Sequence, residues 1–356
     1  MGNLFGLRRN PRLSLALQGG GAHGAFTWGV LDVLLERTTQ PIVAISGTSA
    51  GAVNAVLLAD GLLRGGRDGA REALARFWEA LGRAVPWDAL GLVASDGSGL
   101  SATGRLMMQW AQAFSPAQAS FMRPDPLRAL LARQVDFERL RAQSAIRLHI
   151  AATHANSGRL RLFGERDLSI DVVMASACLP TLQRAVVIDG QPYWDGGFSA
   201  NPALAPLLDA PADDLLLVML SPWSLGEAPK TNDEIKLRSA EIAFNAAFLR
   251  EMRLIAEATA LARRAWWGGP LERRLRRMRW HVIDVRAALA ELPAASKAIA
   301  HPQWLQRLRD AGRTRALAWL QRHGAALGRR SSADLGRLFG PHEPPPMSES
   351  LPALQP

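Results

Sequence analysis

"IVAISGTSAGAVNAVLLADGL", residues 42–62, is the stretch whose reading decides the fold. Its first five residues are a short apolar run of the kind that forms a buried strand. Gly47-Thr48-Ser49-Ala50-Gly51 follows as a tight turn, and residues 50–62 then take up a helical spacing of apolar positions. The same order appears just upstream: "LSLAL" (13–17), a glycine turn, then the helical "FTWGVLDVLLER" (26–37). Further strand candidates are 146–153, 159–163, 185–189, 215–220 and 280–285, separated by amphipathic stretches. Buried runs alternating with helices imply an α/β fold, with a mostly parallel sheet covered by helices on both faces.

The bulk properties agree with a large globular unit. The chain has 356 residues and is 48% hydrophobic, with a mean hydropathy of −0.01, so it can bury a sizeable core. A single cysteine, Cys178, excludes an internal disulfide framework and fits a reducing compartment. The apolar run at 13–17 is too short for a signal-peptide core, and no run is long enough to span a bilayer, so a cytoplasmic location is expected. The net charge of +10 favours anionic surfaces, with arginines concentrated in "RRAWWGGPLERRLRRMRWHV" (263–282). No zinc-ligand spacing or aromatic-basic RNA motif accompanies them, so nucleic acid is not the expected partner.

Organisation divides the chain into a basic arm (1–12), a main domain (13–225), a mainly helical region packed on it (226–330) and a proline-rich tail without structure (331–356). Long helices are expected over 231–266 and 302–322. Residues 86–125 mix Gly and Ser with Met, Trp and Phe. They read either as a loop and helix packed on the core or as a mobile apolar cover over a site.

Two turns carry chemistry. Gly19, Gly21 and Gly24 satisfy Gly-x-Gly-x-x-Gly between a strand and a helix, the dinucleotide-binding pattern. That use also requires an acid at the end of the second strand, where Ser46 and Gly47 stand; the nearest acid, Glu36, ends the first helix. The other use of such a turn is to gather backbone N–H groups at a helix N-terminus and hold a developing oxyanion. Removing one such donor typically costs about 3–4 kcal/mol of barrier. His23, inside the turn, reads as a helix-start residue rather than a base. Gly47-x-Ser49-x-Gly51 has the form of a nucleophile elbow in its strand–turn–helix setting.

A serine hydroxyl needs a base. Seven histidines are available, and none lies in a loop motif shaped for catalysis: His149, His154 and His281 fall in or beside strands, His301 and His323 at helix ends, and His342 in the tail. "YWDGGFSANPAL" (193–204) offers instead Asp195, after an apolar strand and before two glycines. An Asp-Gly turn is common on its own; beside the other two turns it becomes a candidate carboxylate.

Four blocks in order, "GGGAHGAF", "GTSAG", "ASACLP" (175–180) and "DGG", resemble the patatin-like phospholipase family of lipid acyl hydrolases. "FNAAFLREMRLI" and "LRDAGRTRALAWL" are similar to the C-terminal region of some bacterial members, extending the likeness to about residue 325. The resemblance implies a three-layer α/β/α sandwich and a Ser-Asp dyad, with Ser49 as nucleophile and Asp195 as general base. It implies an oxyanion hole from the backbone of Gly19, Gly20, Gly21 and Ala22, with Gly24, Gly47, Gly51, Gly196 and Gly197 shaping the turns. It also implies an acyl lipid or phospholipid substrate, peripheral contact with a membrane or lipid-granule surface, and no metal or cofactor. Many bacterial members carry arginine where His23 stands; backbone donors do not depend on that side chain. A carboxylate of ordinary pKa, near 4, is a weak base for serine. The dyad therefore requires Asp195 in an apolar, partly dry cleft, a setting that Tyr193, Trp194 and Phe198 would suit. A dinucleotide-binding protein and a catalytically silent surface protein are the competing readings.

Overall fold

The computed structural model describes residues 11–84, 90–93, 101, 125–221, 228–285 and 294–340. The segment expected to be a loop or a cover (86–125) lies almost entirely outside them. β1 (Leu13–Leu17) leads into α1 (Gly24–Arg37), and β2 (Ile42–Gly47) into α2 (Ala50–Arg83). Helices α3 (Pro126–Gln134) and α4 (Phe137–Gln143) precede β3 (Arg147–His154), β4 (Leu160–Phe163) and α5 (Ile170–Ser176). Next come β5 (Val186–Ile188), β6 (Gln191–Asp195), the short α6 (Ala205–Leu208) and β7 (Asp214–Met219). The chain continues through α7 (Asn232–Arg264), α8 (Pro270–Arg277), β8 (Arg279–Asp284), α9 (Pro302–His323) and α10 (Leu335–Phe339).

The strands form one sheet in the order β5-β6-β3-β2-β1-β7-β8, with β4 also on β3. β3, β2, β1, β7 and β8 run parallel, while β4, β5 and β6 join antiparallel at one end. Alternation along the strands supplies both faces. Leu15, Leu17, Ile45, Leu216 and Val218 meet α1, α2 and α9 on one side. Ala16, Ala44, Leu215 and Leu217 meet α6, α7 and α10 on the other. The fold is therefore α/β, a central, mostly parallel sheet between helical layers.

β5 and β6 are a hairpin across Asp189-Gly190, both at positive φ (51° and 74°), as a two-residue turn of this hand requires. α7 begins with a reciprocal cap: Thr231 Oγ1 accepts the Glu234 N–H and the Glu234 carboxylate accepts the Thr231 N–H. Its residues Phe248, Met252, Ile255 and Ala256 then lie on the sheet.

C-terminal elements complete the layers. α9 crosses α1 closely enough that a Cβ at Gly312 would stand 2.1 Å from the Phe26 carbonyl oxygen. The crossing is edged by Arg313 paired with Asp32 and Glu36, while Arg71 of α2 also reaches Asp32, at 2.7 Å. At the strands' N-terminal edge, Asp214 accepts the Nε–H and an Nη2–H of Arg279 and the Gly328 N–H. His281 bridges Asp214 and Ser332 at 3.0 and 2.9 Å. This Ser-His-Asp contact is a strut, at the opposite end of the sheet from Ser49. Structure also continues beyond residue 331, where the tail was expected to begin. Asp334 caps α10 by accepting the Arg337 N–H, and buried Leu335 and Phe339 pin that helix against α7, with Phe339 edge-on to Phe248.

Gly312→Val should lower stability by about 1–3 kcal/mol or more, because two backbones would have to separate to admit the side chain. Urea unfolding checks it: the midpoint should fall with little change in slope, and an unchanged midpoint would mean that the α1–α9 contact is not closed.

Candidate active site

Parallel pairing of β1 with β2 sets Leu17 beside Gly47, so the turns that follow emerge side by side at the strands' C-terminal ends. They touch. A Cβ at Gly19 would lie 2.7 Å from the Ser49 Cβ, and one at Gly51 would lie 2.1 Å from the Leu17 carbonyl oxygen. Ser49 takes φ 54° and ψ −123°, a strained conformation for a residue with a side chain. Its N–H donates to Ser176 Oγ at 3.0 Å, and Thr48 Oγ1 donates to the Ala200 carbonyl at 2.8 Å. These bonds hold the serine at the N-terminus of α2.

Asp195 arrives from the other direction. β3 lies next to β2, and β6 pairs antiparallel with the end of β3, setting Asp195 opposite Ala152. Thr153 Oγ1 donates to the Asp195 carbonyl at 2.8 Å, and the Asp195 N–H donates to the Cys178 carbonyl at 2.8 Å. The residue is 1% exposed. Burial pushes its pKa up to about 7, against the opposing pulls of the Gly197 N–H and the Ser49 hydroxyl. Oδ1 accepts the Gly197 N–H at 2.8 Å, whereas Oδ2 makes no fully formed hydrogen bond. The Ser49 hydroxyl is near enough to the carboxylate to favour its charged form, although no fully formed hydrogen bond joins it to Oδ2.

The dry setting required of Asp195 is present, though its aromatic neighbours are arranged differently from the expectation. Tyr193 packs edge-on to Phe163 and His154, and Phe198 packs edge-on to Phe244 of α7. The Phe244 ring occupies the space that a side chain at Gly197 would need. Gly196 lies against the Ala151 carbonyl, and Gly24 and Gly47 lie against Ala50 and Gly51.

The glycine turn requires one correction. The Gly19 N–H is already donated to Asn201 Oδ1 at 2.7 Å, in a buried bond. It cannot also serve an oxyanion; Gly19 instead lets the two turns meet. The amides of Gly20, Gly21 and Ala22 have no hydrogen-bond acceptor among the described residues. His23 shares a hydrogen bond of 2.8 Å between Nε2 and Ser296 Oγ. Burial, with the Lys297 charge, pushes its imidazole down to about 3, so it is neutral and structural. His154 is likewise engaged away from Ser49, with Ser157 and Gln191, and His281 with Ser332 and Asp214. Sequence reasoning missed Ser176, Asn201 and Asn245 as parts of the site. Asn245 offered one signal, an amide in step with Phe248, Met252 and Ile255 on the buried stripe of α7.

Asp195→Asn should stabilise the fold in a pH-dependent way. Between 3.8 and about 7 the folded state keeps a proton that the unfolded chain releases, so wild-type stability falls as pH rises through that window. The variant's Tm advantage should be small at pH 4 and complete above pH 7. A difference in Tm that does not change between pH 4 and 8 would contradict the buried, raised carboxyl.

Comparison with known proteins adds a family. No curated protein matches the chain significantly. Among solved structures, VipD from Legionella pneumophila is similar at 15% identity and a TM-score of 0.39, over 88% of this chain and 67% of that one. The type III effector ExoU is similar at 19% identity and a TM-score of 0.30, over 86% of this chain and 54% of that one. ExoU of Pseudomonas aeruginosa in its heterodimeric complex with SpcU gives 17% identity and a TM-score of 0.31, over 87% of this chain and 52% of that one. The chain thus spans about half the length of the ExoU chains. The patatin-like phospholipase profile matches residues 15–208, which include both turns, Ser49 and Asp195. The chain belongs to the patatin-like phospholipase family, a family of lipid hydrolases.

Proposed function

We propose that the chain hydrolyses carboxylic esters of acyl lipids through a Ser49–Asp195 dyad. The observation that carries this reading is a buried carboxylate, raised to about 7, facing a serine held at a strained strand–helix turn. A base with a pKa near the working pH transfers protons efficiently. Asp195 takes the Ser49 proton as Oγ attacks the ester carbonyl. The tetrahedral oxyanion turns toward the amides of Gly20, Gly21 and Ala22, at the N-terminal end of α1 and beside that of α2. Asp195 then returns the proton to the leaving alcohol; in the second half it takes a proton from the water that attacks the acyl-enzyme and passes it to Ser49 Oγ as the Oγ–acyl bond breaks and the carboxylic acid leaves. Dinucleotide binding lacks comparable support, because β2 ends at Ser46 and Gly47 with no acid for a ribose.

Ser49→Ala should abolish p-nitrophenyl ester hydrolysis and labelling by a fluorophosphonate. Asp195→Asn should lower kcat by about 10³-fold or more, consistent with loss of a general base and its electrostatic support. Wild-type kcat should rise with pH through about 7, as Asp195 loses its proton. Wild-type protein that neither labels nor turns over would favour a catalytically silent member of the fold, and hydrolysis that survives Ser49→Ala would remove the dyad.

Contact with an anionic lipid surface is supported by a patch after α7. Trp266 and Trp267 are 92% and 76% exposed there, with Leu261 and Leu271 also exposed, among Arg263, Arg264, Arg273 and Arg277. Tryptophan beside arginine suits the headgroup region. The patch follows the end of α7, about 30 Å along the helix from Asn245 at 1.5 Å per residue, so it would tether the protein rather than shape the site. Replacing both tryptophans by alanine should weaken cosedimentation with phosphatidylglycerol vesicles and leave kcat on a soluble ester unchanged. Equal cosedimentation would remove this surface from the account.

A further inference from the structure

The glycine turn is held from behind by a buried amide network that reaches beyond the matched family region. Gln18, the residue before the turn, accepts the N–H groups of Leu220 and Ser221 on Oε1, at 2.6 and 2.9 Å. Its Nε2 therefore points the other way and donates to Asn245 Oδ1 at 3.2 Å. Asn201 accepts the Gly19 N–H on Oδ1, so its Nδ2 also turns to Asn245 Oδ1, at 3.3 Å. Asn245 Nδ2 in turn donates to the Glu241 carbonyl at 2.9 Å. The backbone partners thus dictate every amide orientation, and one oxygen on α7 accepts from both side chains.

The two donors it receives lead to the two halves of the site. Gln18 opens the glycine turn, and Asn201 follows the turn that carries Asp195 while holding Gly19 against Ser49. The same turn of α7 also grips the other side of the loop. Glu241 pairs with Lys297 at 2.7 Å, the Lys297 carbonyl lies where a Cβ at Gly21 would fall, and neighbouring Ser296 meets His23. An amide on the buried stripe of a helix is costly unless its hydrogen bonds are made. Leucine would suit the stripe better if packing were the only demand.

We propose that Asn245 is a positioning residue for ester hydrolysis: its Oδ1 locks Gln18 and Asn201, and so fixes the backbone amides of Gly20, Gly21 and Ala22 relative to Ser49. This rests on the dyad reading above. Asn245→Leu removes the acceptor and strands two buried donors. Asn245→Asp keeps an acceptor for both donors, while it replaces the donor to the Glu241 carbonyl by a carboxyl oxygen.

The test is fluorophosphonate labelling followed to completion, together with kcat and KM for p-nitrophenyl butyrate. In Asn245→Leu every site should still label, but the rate constant and kcat should fall about 10- to 100-fold, the effect expected of a misplacement of up to about 1 Å. KM should change less than about twofold and the pH midpoint should stay that of the wild type, since the base is untouched. Asn245→Asp should recover most of the rate. If the leucine variant does not fold, Asn245→Ser, too short to reach both donors, should show the same slow, complete labelling. A wild-type rate per labelled site in the leucine or serine variant would overturn the inference, as would an aspartate variant no faster than the leucine one. Loss of the dyad reading itself would show separately, as wild-type protein that does not label or Ser49→Ala protein that does.

Discussion

Everything at this site depends on the contact between two turns. Parallel pairing of β1 and β2 delivers the glycine turn and the serine turn to the same edge. Absence of a side chain at Gly19 and Gly51 then lets them close on each other. Ser49 is forced to positive φ at the start of α2, a strain of order 1–3 kcal/mol that the surrounding bonds must sustain. Ser176 holds its amide and Ala200 holds the neighbouring Thr48. With those restraints the serine stands at the start of α2, beside the amides of Gly20, Gly21 and Ala22, which have no acceptor among the described residues.

The second constraint is dryness around Asp195. Asp195, at the end of β6 and capped by the Gly197 N–H, is almost fully buried, and burial lifts its carboxyl to about 7, the property that the proposed role as base requires. Phe244 of α7 closes over that turn. The C-terminal helices are therefore part of the site's architecture: α7 packs Phe244 on the turn after Asp195, and its buried Asn245 amide bonds Gln18 before the glycine turn. A buried carboxyl with a raised pKa opposes folding wherever it must ionise, so Asp195 costs stability as pH rises toward neutral.

Much of this was legible in the sequence, for physical reasons. Strands buried on both faces must be apolar throughout, so "LSLAL" and "LLLVML" mark themselves, and Gly-x-Ser-x-Gly after a strand has few structural uses. Ser49 and Asp195 could be named because each sits in a local motif. Polar contacts between distant segments left no such mark. The engagement of the Gly19 amide depends on Asn201, and the turn's orientation depends on Asn245, far along the chain. Residues 185–189 were readable as a strand, yet nothing local shows that it turns at Asp189-Gly190 into a hairpin whose second strand ends at Asp195. Residues 335–339 read as unstructured beside the proline-rich end, and only the groove on α7 that receives Leu335 and Phe339 makes them a helix.

The central claim is that Ser49 and Asp195 form one proton-transfer pair, and carbon-13 NMR of labelled aspartate carboxyls tests it most directly. One carboxyl should titrate near 7, vanish in Asp195→Asn, and move higher in Ser49→Ala because the hydroxyl favours the charged form. An Asp195 resonance that titrates near 4, or one indifferent to the loss of the Ser49 hydroxyl, would contradict it.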